Sequence, residues 1–529
     1  MFWADRLVEE ARGQFGEKIR SGTPLIIRDE KTASGRVHVG SMRGVAIHGV
    51  ISEALTEKGV GNTFKYEFND FDVMDSVPGY LPQDKFEKYL GMLLSEVPSP
   101  DASAKNFAEY FANEFKGVIE DCGFAPEFYW GSELYLSGEM DGVIRESLIN
   151  TEKIRKIYKD ISGSQKSEDW LPISIICPQC RKLATTEATE FDGENVSVYC
   201  REDKVKYTKG CGFKGKVSPF GGNCKLSWKV EWAAKWKVIG VDIEGGGKDH
   251  STKGGARDVA NHIAREVFNI EPPFDMPYEF FLVGGKKMSS SKGHGASARE
   301  IADLLPPHIL RLALIGKDIK QQFNLEPEGD TVPVLFDTYD KYAESFFANV
   351  QDDYTRVLSL IHLPSERAKL VSHFLPRFSQ VAFLVQMPHL SYLDEVARLK
   401  SGELSSEDKT EAELRAKYAK YWLLEYAPED FRYEIQKELP ESANNFSEEQ
   451  KKALSEIVRY IVQNTGSLDG QVLHTALHEM RKSSGLEAKE FFSPIYQSIL
   501  GKDSGPKAGW FLSVLDREFL MKRLKEVSI

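Results

Sequence analysis

The chain has 529 residues and a mass of 59.7 kDa, which is too long for one hydrophobic core and predicts three or more domains. Its composition, with 41% hydrophobic and 28% charged residues, is that of a globular protein, and no apolar run approaches the roughly 20 residues of a membrane span. The net charge of −12 argues against promiscuous nucleic-acid binding, although a local basic face can still bind a shaped RNA.

The first 70 residues predict a βαβ unit. The opening 20 residues mix acids and bases without the basic-then-apolar layout of a signal peptide, so we expect a cytoplasmic protein. A buried strand over 24–28 is followed by a helix over 41–58 and by a strand in which Phe64, Tyr66 and Phe68 alternate with polar residues. This order is typical of the start of a nucleotide-binding sheet.

The sheet pattern is then interrupted and resumes later in the chain. Residues 90–226 carry all six cysteines, and strands are predicted again over 237–243 and 280–283. We therefore predict an α/β fold class with a Rossmann-type nucleotide-binding domain in two halves, 1–89 and 227–295. The cysteine-bearing residues between the two halves are predicted to form an inserted domain.

Beyond residue 296 the pattern becomes helical. Amphipathic stretches such as 307–315 and 448–462 recur with few strand signals. We predict an all-α carboxy-terminal half, which we divide into a helical connecting region (296–350) and a further α-helical domain (351–529).

A glycine-bearing turn joins the first strand to the first helix and includes Ser34, Gly35, His38, Gly40 and Ser41. Small residues allow the backbone to approach a nucleotide, and the following helix presents its positive end and free N–H groups to phosphate. His38 can donate a hydrogen bond to phosphoryl oxygens. The alternative is an ordinary β–α turn with a surface histidine, and this turn alone does not decide between the two.

A second segment, residues 284–293, reads Gly-Gly-Lys-Lys-Met-Ser-Ser-Ser-Lys-Gly. Glycines, lysines and hydroxyls at this density suit a polyphosphate, because mobile ammonium groups neutralise charge as it develops. The same composition is also typical of a solvated loop.

Together, the two segments resemble the signature motifs of the class I aminoacyl-tRNA synthetases, whose HIGH and KMSKS motifs bind ATP on a Rossmann-type domain. Here HIGH reads His-Val-Gly-Ser at 38–41, and KMSKS reads Lys-Met-Ser-Ser-Ser at 287–291. Ser41 replaces the second histidine and Ser290 replaces the second lysine. A hydroxyl and a neighbouring lysine are expected to take over their phosphate contacts.

Further segments resemble the class I lysyl-tRNA synthetases within that class. They are residues 33–41, 69–72, 225–232, 247–250 and 287–293, in the same order along the chain. The glutamyl and glutaminyl enzymes are the neighbouring alternatives. The resemblance implies ATP-dependent activation of L-lysine and transfer to the 3′-terminal adenosine of tRNA(Lys), so ATP, L-lysine and tRNA(Lys) are the expected partners and Mg²⁺ accompanies ATP.

The resemblance also implies site residues. We expect His38, Lys287 and Lys292 to be catalytic. The expected ATP site comprises Ser34, Gly35, His38, Gly40, Ser41, Gly247, Lys248, Asp249, His250, Lys287, Met288, Ser289, Ser290 and Ser291. Lysine needs an acceptor for its ε-ammonium group and an aromatic wall for cation–π contact. The sequence does not choose among the candidates, which are Glu30, Thr32, Asp70, Asp72, Trp228 and Tyr278.

Five of the six cysteines fall between residues 177 and 224, and such clustering favours a metal site over disulfides. Cys177 and Cys180 are spaced to hold one ion, and Cys200 and Cys211 complete a tetrahedral site, with Cys224 as the alternative ligand. Buried reduced cysteines are the other interpretation. The inserted domain of the resembling family is similar to a zinc ribbon, which implies a structural Zn²⁺.

Two other functions fit part of the pattern. A small-molecule adenylyltransferase would use the same histidine turn and lysine-rich loop but does not need the long helical half. A non-catalytic tRNA-binding relative would not need His38, Gly40, Lys287 and Lys292. We expect a monomer with no membrane or DNA partner, whose helical half reads the tRNA anticodon through splayed bases.

Overall fold

The computed structural model describes residues 1–285, 296–387, 390–464 and 468–528. The chain divides into two compact units: unit 1 comprises Met1–Glu326 and Lys341–Leu370, and unit 2 comprises Pro327–Asp340 and Val371–Ile529. Unit 1 is mixed α/β and the described part of unit 2 is helical, which confirms the predicted α/β part followed by a helical half. In the described residues, no helix has both the length and the apolar character that crossing a membrane requires.

Unit 1 is built on a parallel sheet. Its first elements are α1 (Trp3–Gln14), α2 (Gly16–Arg20), β1 (Leu25–Lys31), α3 (Met42–Glu57) and β2 (Asn62–Phe68). β1 and β2 pair in parallel along their whole length, which confirms the predicted βαβ unit. Most residues of α3 are buried, as expected of a helix that is apolar nearly all round.

A third parallel strand lies inside the range that we predicted for the insertion. After α4 (Gln83–Phe86) and α5 (Phe107–Asp121), β3 (Glu127–Trp130) pairs with β2. The predicted start of the insertion at residue 90 is therefore wrong, because the sheet continues to Trp130. The sequence Glu-Phe-Tyr-Trp is too short for its period to reveal a strand.

The cysteine-bearing segment follows and is mostly antiparallel. It contains α6 (Gly131–Leu136), α7 (Asp141–Ile149), α8 (Thr151–Ser162), β4 (Ile173–Ile175), β5 (Thr186–Phe191), β6 (Val196–Cys200), β7 (Lys214–Val217) and β8 (Cys224–Leu226). β5, β6 and β7 form one antiparallel sheet, and β4 pairs with β8 in a second.

The chain then returns to the parallel sheet through α9 (Trp228–Ile239), β9 (Gly246–Gly247), α10 (Ala256–Glu266) and β10 (Pro277–Tyr278). Ile243 forms parallel bridges with Ile27 on one side and Phe274 on the other, and β9 pairs in parallel with β10. The resulting order is β3, β2, β1, the 243–247 segment and the 274–278 segment. This is the strand order of a doubly wound nucleotide-binding sheet up to its fifth strand.

The strand predicted over 237–243 is partly wrong. Residues 237–239 still belong to α9, which ends at Gly240 in the left-handed conformation. Trp232 and Trp236 lie four residues apart on α9 and are buried in the core. The apolar residues after them resemble a strand in sequence, but the glycine ends the helix only at 240.

The remaining elements of unit 1 include a short strand pair. They are β11 (Phe281–Val283), α11 (Ala298–Leu304), α12 (Pro307–Ile315), β12 (Phe323–Leu325), α14 (Asp353–Ile361) and α15 (Pro364–Arg367). Helix α13 (Thr331–Phe347) belongs to unit 2 as far as Asp340 and to unit 1 from Lys341. β11 pairs in parallel with β12, which lies in the region predicted to be helical.

The rest of unit 2 packs amphipathic helices around its own apolar core. The helices are α16 (Phe378–Leu384), α17 (Tyr392–Lys400), α18 (Ser406–Glu425), α19 (Glu448–Gln463), α20 (Gly470–Ser484), α21 (Ala488–Leu500), α22 (Ala508–Ser513) and α23 (Arg517–Val527). Ile457, Leu477 and Ile495 from three of these helices are fully buried in this core.

Candidate active site

A cavity of about 250 Å³ opens at the carboxyl end of β1, beside the start of α3. In open α/β sheets this is the edge at which ligands bind. Its walls come from the turn after β1, the glycines of β9 and the strands β10 and β11. The lining residues are Asp29, Glu30, Lys31, His38, Gly40, Ser41, Arg43, Gly247, His250, Tyr278, Phe280, Phe281 and Leu282.

The cavity brings together residues of the predicted ATP site from distant parts of the chain. His38, Gly40 and Ser41 line it from the turn after β1, and Gly247 and His250 line it from β9 and the residues that follow. The turn that contains His38 and the segment that contains His250 were predicted to contribute to one ATP site, and residues of both line this cavity.

Other predicted ATP-site residues lie in the same two segments but do not line the cavity. These are Ser34, Gly35, Lys248 and Asp249. The ammonium group of Lys248 binds the carboxylate of Glu279 at 2.8 Å. Their role in binding ATP stays a prediction.

The predicted KMSKS residues Lys287, Met288, Ser289, Ser290, Ser291 and Lys292 lie outside the described residues. The described residues on either side of them border the site. Leu282 lines the cavity, Ser297 forms an antiparallel bridge with His38, and the N–H of Ala298 donates to the carbonyl of Val37 at 2.8 Å. Both flanks of the lysine-rich segment therefore lie beside the cavity.

Asp29 lies near the end of β1 and faces the cavity beside the buried His48. The N–H of Gly245 donates to Nε2 of His48 at 2.8 Å, so the ring proton is on Nδ1, which donates to the carbonyl of Gly44 at 2.8 Å. His48 is therefore neutral, and its Nδ1 lies 3.7 Å from the carboxylate of Asp29. Burial raises the pKa of Asp29, and no lysine or arginine of the described residues forms an ion pair with it.

The start of α3 approaches this carboxylate closely. A Cβ atom on Gly44 would lie 2.6 Å from Oδ2 of Asp29 and 2.7 Å from the hydroxyl oxygen of Tyr278. A side chain at position 44 would therefore displace one of these two groups, and glycine allows both of them to approach α3.

Glu30 belongs to a buried cluster of ion pairs. Its carboxylate contacts Arg28 and lies 3.7 Å from Nζ of Lys235. Arg28 also binds Glu67 and Glu244, and Lys235 binds Glu67. Burial alone would raise the pKa of Glu67, but Lys235 and Arg28 outweigh burial and lower that pKa to about 2. Glu30 therefore faces the cavity with two cations already beside its charge.

Two other predicted lysine-binding residues lie at or near the cavity. Tyr278 lines it. Trp228 is 49% exposed, and the centre of its ring lies 5.5 Å from that of His250. The ring of Trp228 also stacks on the ring of Trp232. An aromatic surface therefore borders the cavity at His250.

The remaining three predicted lysine-binding residues do not line the cavity and have protein partners. The hydroxyl of Thr32 donates to Oδ2 of Asp72 at 3.0 Å. Both carboxylate oxygens of Asp70 accept hydrogen bonds from Ser132, one from the backbone N–H and one from the hydroxyl. In this structure Asp70 fixes the start of α6.

Sequence reasoning missed Arg43, which lines the cavity from α3. Its guanidinium donates to the carbonyls of Leu314, Asp318 and Gln321, and so joins α3 to the loop before β12. Burial lowers the pKa of Arg43 to about 10. An arginine two residues after the histidine motif, among the apolar residues that begin α3, is the signal that could have revealed it.

Four of the six cysteines form one cluster. The sulfurs of Cys177, Cys180, Cys200 and Cys211 all lie within 4.8 Å of one another. Cys177 and Cys211 are 3.6 Å apart, and Cys180 and Cys200 are 3.7 Å apart. Tetrahedral zinc with Zn–S bonds near 2.3 Å places sulfurs about 3.8 Å apart, so the four thiols fit such an ion.

The strands explain how this cluster forms. Cys177 and Cys180 lie in the turn after β4, Cys200 ends β6, and the N–H of Cys211 donates to the sulfur of Cys200 at 3.3 Å. Cys224, the alternative ligand in the sequence prediction, pairs with Ile175 between β8 and β4 and is not part of the cluster.

Residues 1–364 match the family described as "tRNA synthetases class I (K)", in which K denotes lysine. The chain belongs to the class I lysyl-tRNA synthetase family. Residues 343–528 match the family described as "Anticodon binding domain". The α/β part with its cavity and the helical half are thus the two parts of a class I synthetase fold, and the family predicted from the motifs is confirmed.

Curated relatives of this synthetase family match along nearly their whole length. The chain is 31% identical to the Lysine--tRNA ligase of Methanosarcina barkeri (strain Fusaro), over 99% of this chain and 97% of that protein. It is 32% identical to the Lysine--tRNA ligase of Pyrococcus horikoshii, over 99% of each. Among solved structures, a glutamate tRNA ligase from Elizabethkingia meningosepticum is similar with a TM-score of 0.41 and 13% identity, over 95% of this chain and 99% of that chain.

Proposed function

We propose that the chain is a lysine–tRNA ligase. It activates L-lysine with ATP to give lysyl-adenylate and pyrophosphate, and then transfers the lysyl group to the 3′-terminal adenosine of tRNA(Lys). The observation that carries this proposal is the cavity at the end of β1, where His38, Gly40, Gly247 and His250 meet two carboxylates in a chain of the lysine-type family.

ATP occupies the part of the cavity formed by His38, Gly40, Ser41, Gly247 and His250. The glycines allow the nucleotide to approach the backbone, and His38 donates to a phosphoryl oxygen. Lys287 and Lys292 add positive charge from the KMSKS segment, whose two flanks border the same cavity. Mg²⁺ is expected to bind mainly through the phosphates of ATP and to neutralise part of their charge.

Asp29 is the residue that we propose for binding an ammonium group of lysine. Of the two carboxylates that line the cavity, Glu30 already contacts Arg28 and lies 3.7 Å from Lys235. Asp29 forms no ion pair with a lysine or arginine among the described residues, and the ring of His48 lies 3.7 Å from its carboxylate. A buried carboxylate that has no direct ion pair gains more from a cationic ligand than one that already has two.

The chemistry needs little acid–base assistance, because the nucleophile, the carboxylate of lysine, is already ionised. The oxygen of this carboxylate attacks the α-phosphorus of ATP, and the bond to the β-phosphate oxygen breaks as pyrophosphate leaves. His38 and the two lysines therefore act by positioning the phosphates and by stabilising the charge that develops on them.

The four-thiol cluster is proposed to hold a structural Zn²⁺. Four thiolates leave no open position for a substrate, so the ion ties the β4–β5 turn to β6 and β7 rather than taking part in the reaction. Residues between about 131 and 226 would then be the inserted, zinc-ribbon-like segment of a split Rossmann-type domain.

Metal analysis of the purified protein tests this zinc assignment. We expect one zinc per chain, lost in Cys200→Ser and retained in Cys224→Ala, which changes a buried cysteine outside the cluster. Equal zinc content in Cys200→Ser and the unchanged protein would contradict the assignment.

Aminoacylation of total tRNA with labelled lysine tests the function itself. We expect lysine to be attached, and His38→Ala to lower kcat/KM by about 10²–10³-fold, as loss of one transition-state donor does in other enzymes. His262→Ala is the matched control, since His262 lies on α10 and pairs with Glu266 at the surface. Attachment of glutamate or glutamine instead of lysine would contradict the proposed substrate.

A further inference from the structure

Outside the cavity, two lysines converge on one aromatic ring. Nζ of Lys166 lies 4.8 Å from the centre of the Tyr158 ring, and Nζ of Lys229 lies 5.6 Å from the same centre. Lys166 is also 5.4 Å from the ring of Trp170, which packs edge-on against Tyr158. Packing on the ring therefore holds two ammonium groups in the same small region.

Among the described residues, neither Lys166 nor Lys229 forms an ion pair with a carboxylate, although most of the lysines around the active site do. Lys229 also lies in the first turn of α9, where the helix dipole is positive and disfavours a cation. Burial and the nearby Lys166 lower the pKa of Lys229. An anion bound between the two lysines would relieve this repulsion.

The lysine pair lies next to the entrance of the active site. Lys229 follows Trp228, whose exposed ring contacts His250 in the lining of the cavity. The residues after His250 lie against the end of α8, since a Cβ on Gly254 would be 3.0 Å from the carbonyl oxygen of Ile161. Lys229 and the end of α8 therefore both lie close to the segment that lines the cavity at His250.

Proteins contact the phosphates of single-stranded nucleic acid with positively charged side chains, and Lys166 and Lys229 place two such charges in one region. We propose that Lys166 and Lys229 bind a backbone phosphate of the single-stranded 3′ end of tRNA as that end approaches the cavity. This site deepens the proposed lysine–tRNA ligase function and rests on it.

A third lysine provides a matched control. Nζ of Lys116 on α5 lies 4.9 Å from the centre of the Phe128 ring, so it packs on an aromatic ring as the other two do. It differs in having a carboxylate partner, Glu120, at 3.9 Å. Lys116→Gln removes one charge and one ring contact of the same kind without touching the proposed site.

The test compares Lys166→Gln/Lys229→Gln, Lys166→Arg/Lys229→Arg and Lys116→Gln in lysine attachment to tRNA. We expect the double glutamine variant to raise KM for tRNA about tenfold, with the KM for lysine unchanged at saturating tRNA. The double arginine variant should restore most of the loss, because it keeps both charges, and Lys116→Gln should behave as the unchanged protein. An unaltered KM for tRNA in the double glutamine variant would overturn the proposal.

Two binding measurements locate the contact. The slope of log Kd for tRNA against log salt should fall by about 0.7 for each single-strand phosphate lost. With tRNA that lacks its 3′-terminal single-stranded nucleotides, the double glutamine variant and the unchanged protein should bind equally. A loss of affinity that persists with the shortened tRNA would place the lysines on another part of the molecule and overturn the assignment. Failure of the proposed function itself looks different, since the unchanged protein would then attach no lysine to any tRNA.

Discussion

Arg28 in unit 1 and Arg415 in unit 2 are both fully buried, and both bind carboxylates. Arg28 holds Glu67 and also contacts Glu30, which lines the active-site cavity. Arg415 binds Asp340 and, through the carbonyl of Pro376, the loop before α16. The same side chain thus supports a ligand cavity in one unit and joins α13 to α18 in the other.

The comparison shows which buried charged residues indicate a ligand site in this chain and which do not. A buried ion cluster is not by itself a sign of function, because the cluster around Arg415 serves helix packing beside Phe336 and Trp422. The informative feature in unit 1 is Asp29, a carboxylate that faces the cavity and is not ion-paired to any described lysine or arginine. We expect ligand binding to depend on Asp29, and the free energy of unfolding to depend on the ion-paired residues around Arg28 and Arg415.

Breaking each cluster should have the largest effect. Glu67→Gln leaves Arg28 and Lys235 without a full counter-charge, and Arg415→Met leaves Asp340 and Glu411 without theirs. Each should lower the free energy of unfolding by about 3–5 kcal/mol, as loss of one partner in a buried ion pair does. Only Glu67→Gln should also slow lysine activation, because its cluster includes Glu30. Urea unfolding together with pyrophosphate exchange at saturating tRNA measures both, and equal loss of exchange in the two variants would contradict the distinction.

Acid should act on the cluster of unit 1 in a defined pH window. The pKa of Glu67 is about 2 in the folded chain against an ordinary value of 4.5. A lowered folded-state pKa means that the stabilisation is complete above pH 4.5 and is lost as the pH falls from 4.5 toward 2. The free energy of unfolding should therefore fall across this window, and less steeply in Glu67→Gln. An identical slope in both proteins would show that Glu67 is not the group responsible.

Asp29→Asn should separate binding from stability. We expect KM for lysine to rise about 10- to 100-fold, which corresponds to losing a charge-assisted contact of roughly 1.5–3 kcal/mol. The free energy of unfolding should stay the same or increase, because the pKa of Asp29 is raised by burial and the ionised group is costly in the folded chain. Asp72→Asn is the control, since Asp72 accepts from Thr32 and does not line the cavity. A larger rise in KM for Asp72→Asn than for Asp29→Asn would contradict this assignment and indicate that Asp72 binds lysine.

The smallest effect should come from an exposed pair in unit 2. Glu456 and Arg459 are three residues apart on α19, with 52% and 62% of their side chains exposed. Glu456→Gln should change the free energy of unfolding by less than about 1 kcal/mol, because solvent screens exposed ion pairs. A cost comparable to that of Arg415→Met would mean that burial does not control the strength of ion pairs in this unit.

The sequence allowed correct predictions where residues of a specific chemistry stand at a recognisable spacing. The βαβ unit followed from apolar spacing, and the turn with His38 and Gly40 could be placed at the edge of the sheet because it directly follows a strand. The four clustered cysteines, Cys177 to Cys211, could be recognised as a set because few other arrangements use so many thiols. The family followed from the order of several such motifs.

Other features were hidden because they depend on contacts between distant segments. Asp29 and Arg43 could not be distinguished from the other charged residues near them without knowing which side chains face the cavity. β3 is four residues long, and its parallel pairing with β2 spans about sixty positions of intervening chain. The end of α9 was missed because the apolar residues before Gly240 fit either a strand or the last turn of a helix.

The most direct test of the whole account is ATP–pyrophosphate exchange with each standard amino acid in turn, in the presence of total tRNA. We predict exchange with lysine. The exchange rate should fall strongly in His38→Ala, and the KM for lysine should rise in Asp29→Asn. Exchange with glutamate or glutamine but not with lysine, or no exchange with any amino acid, would contradict it.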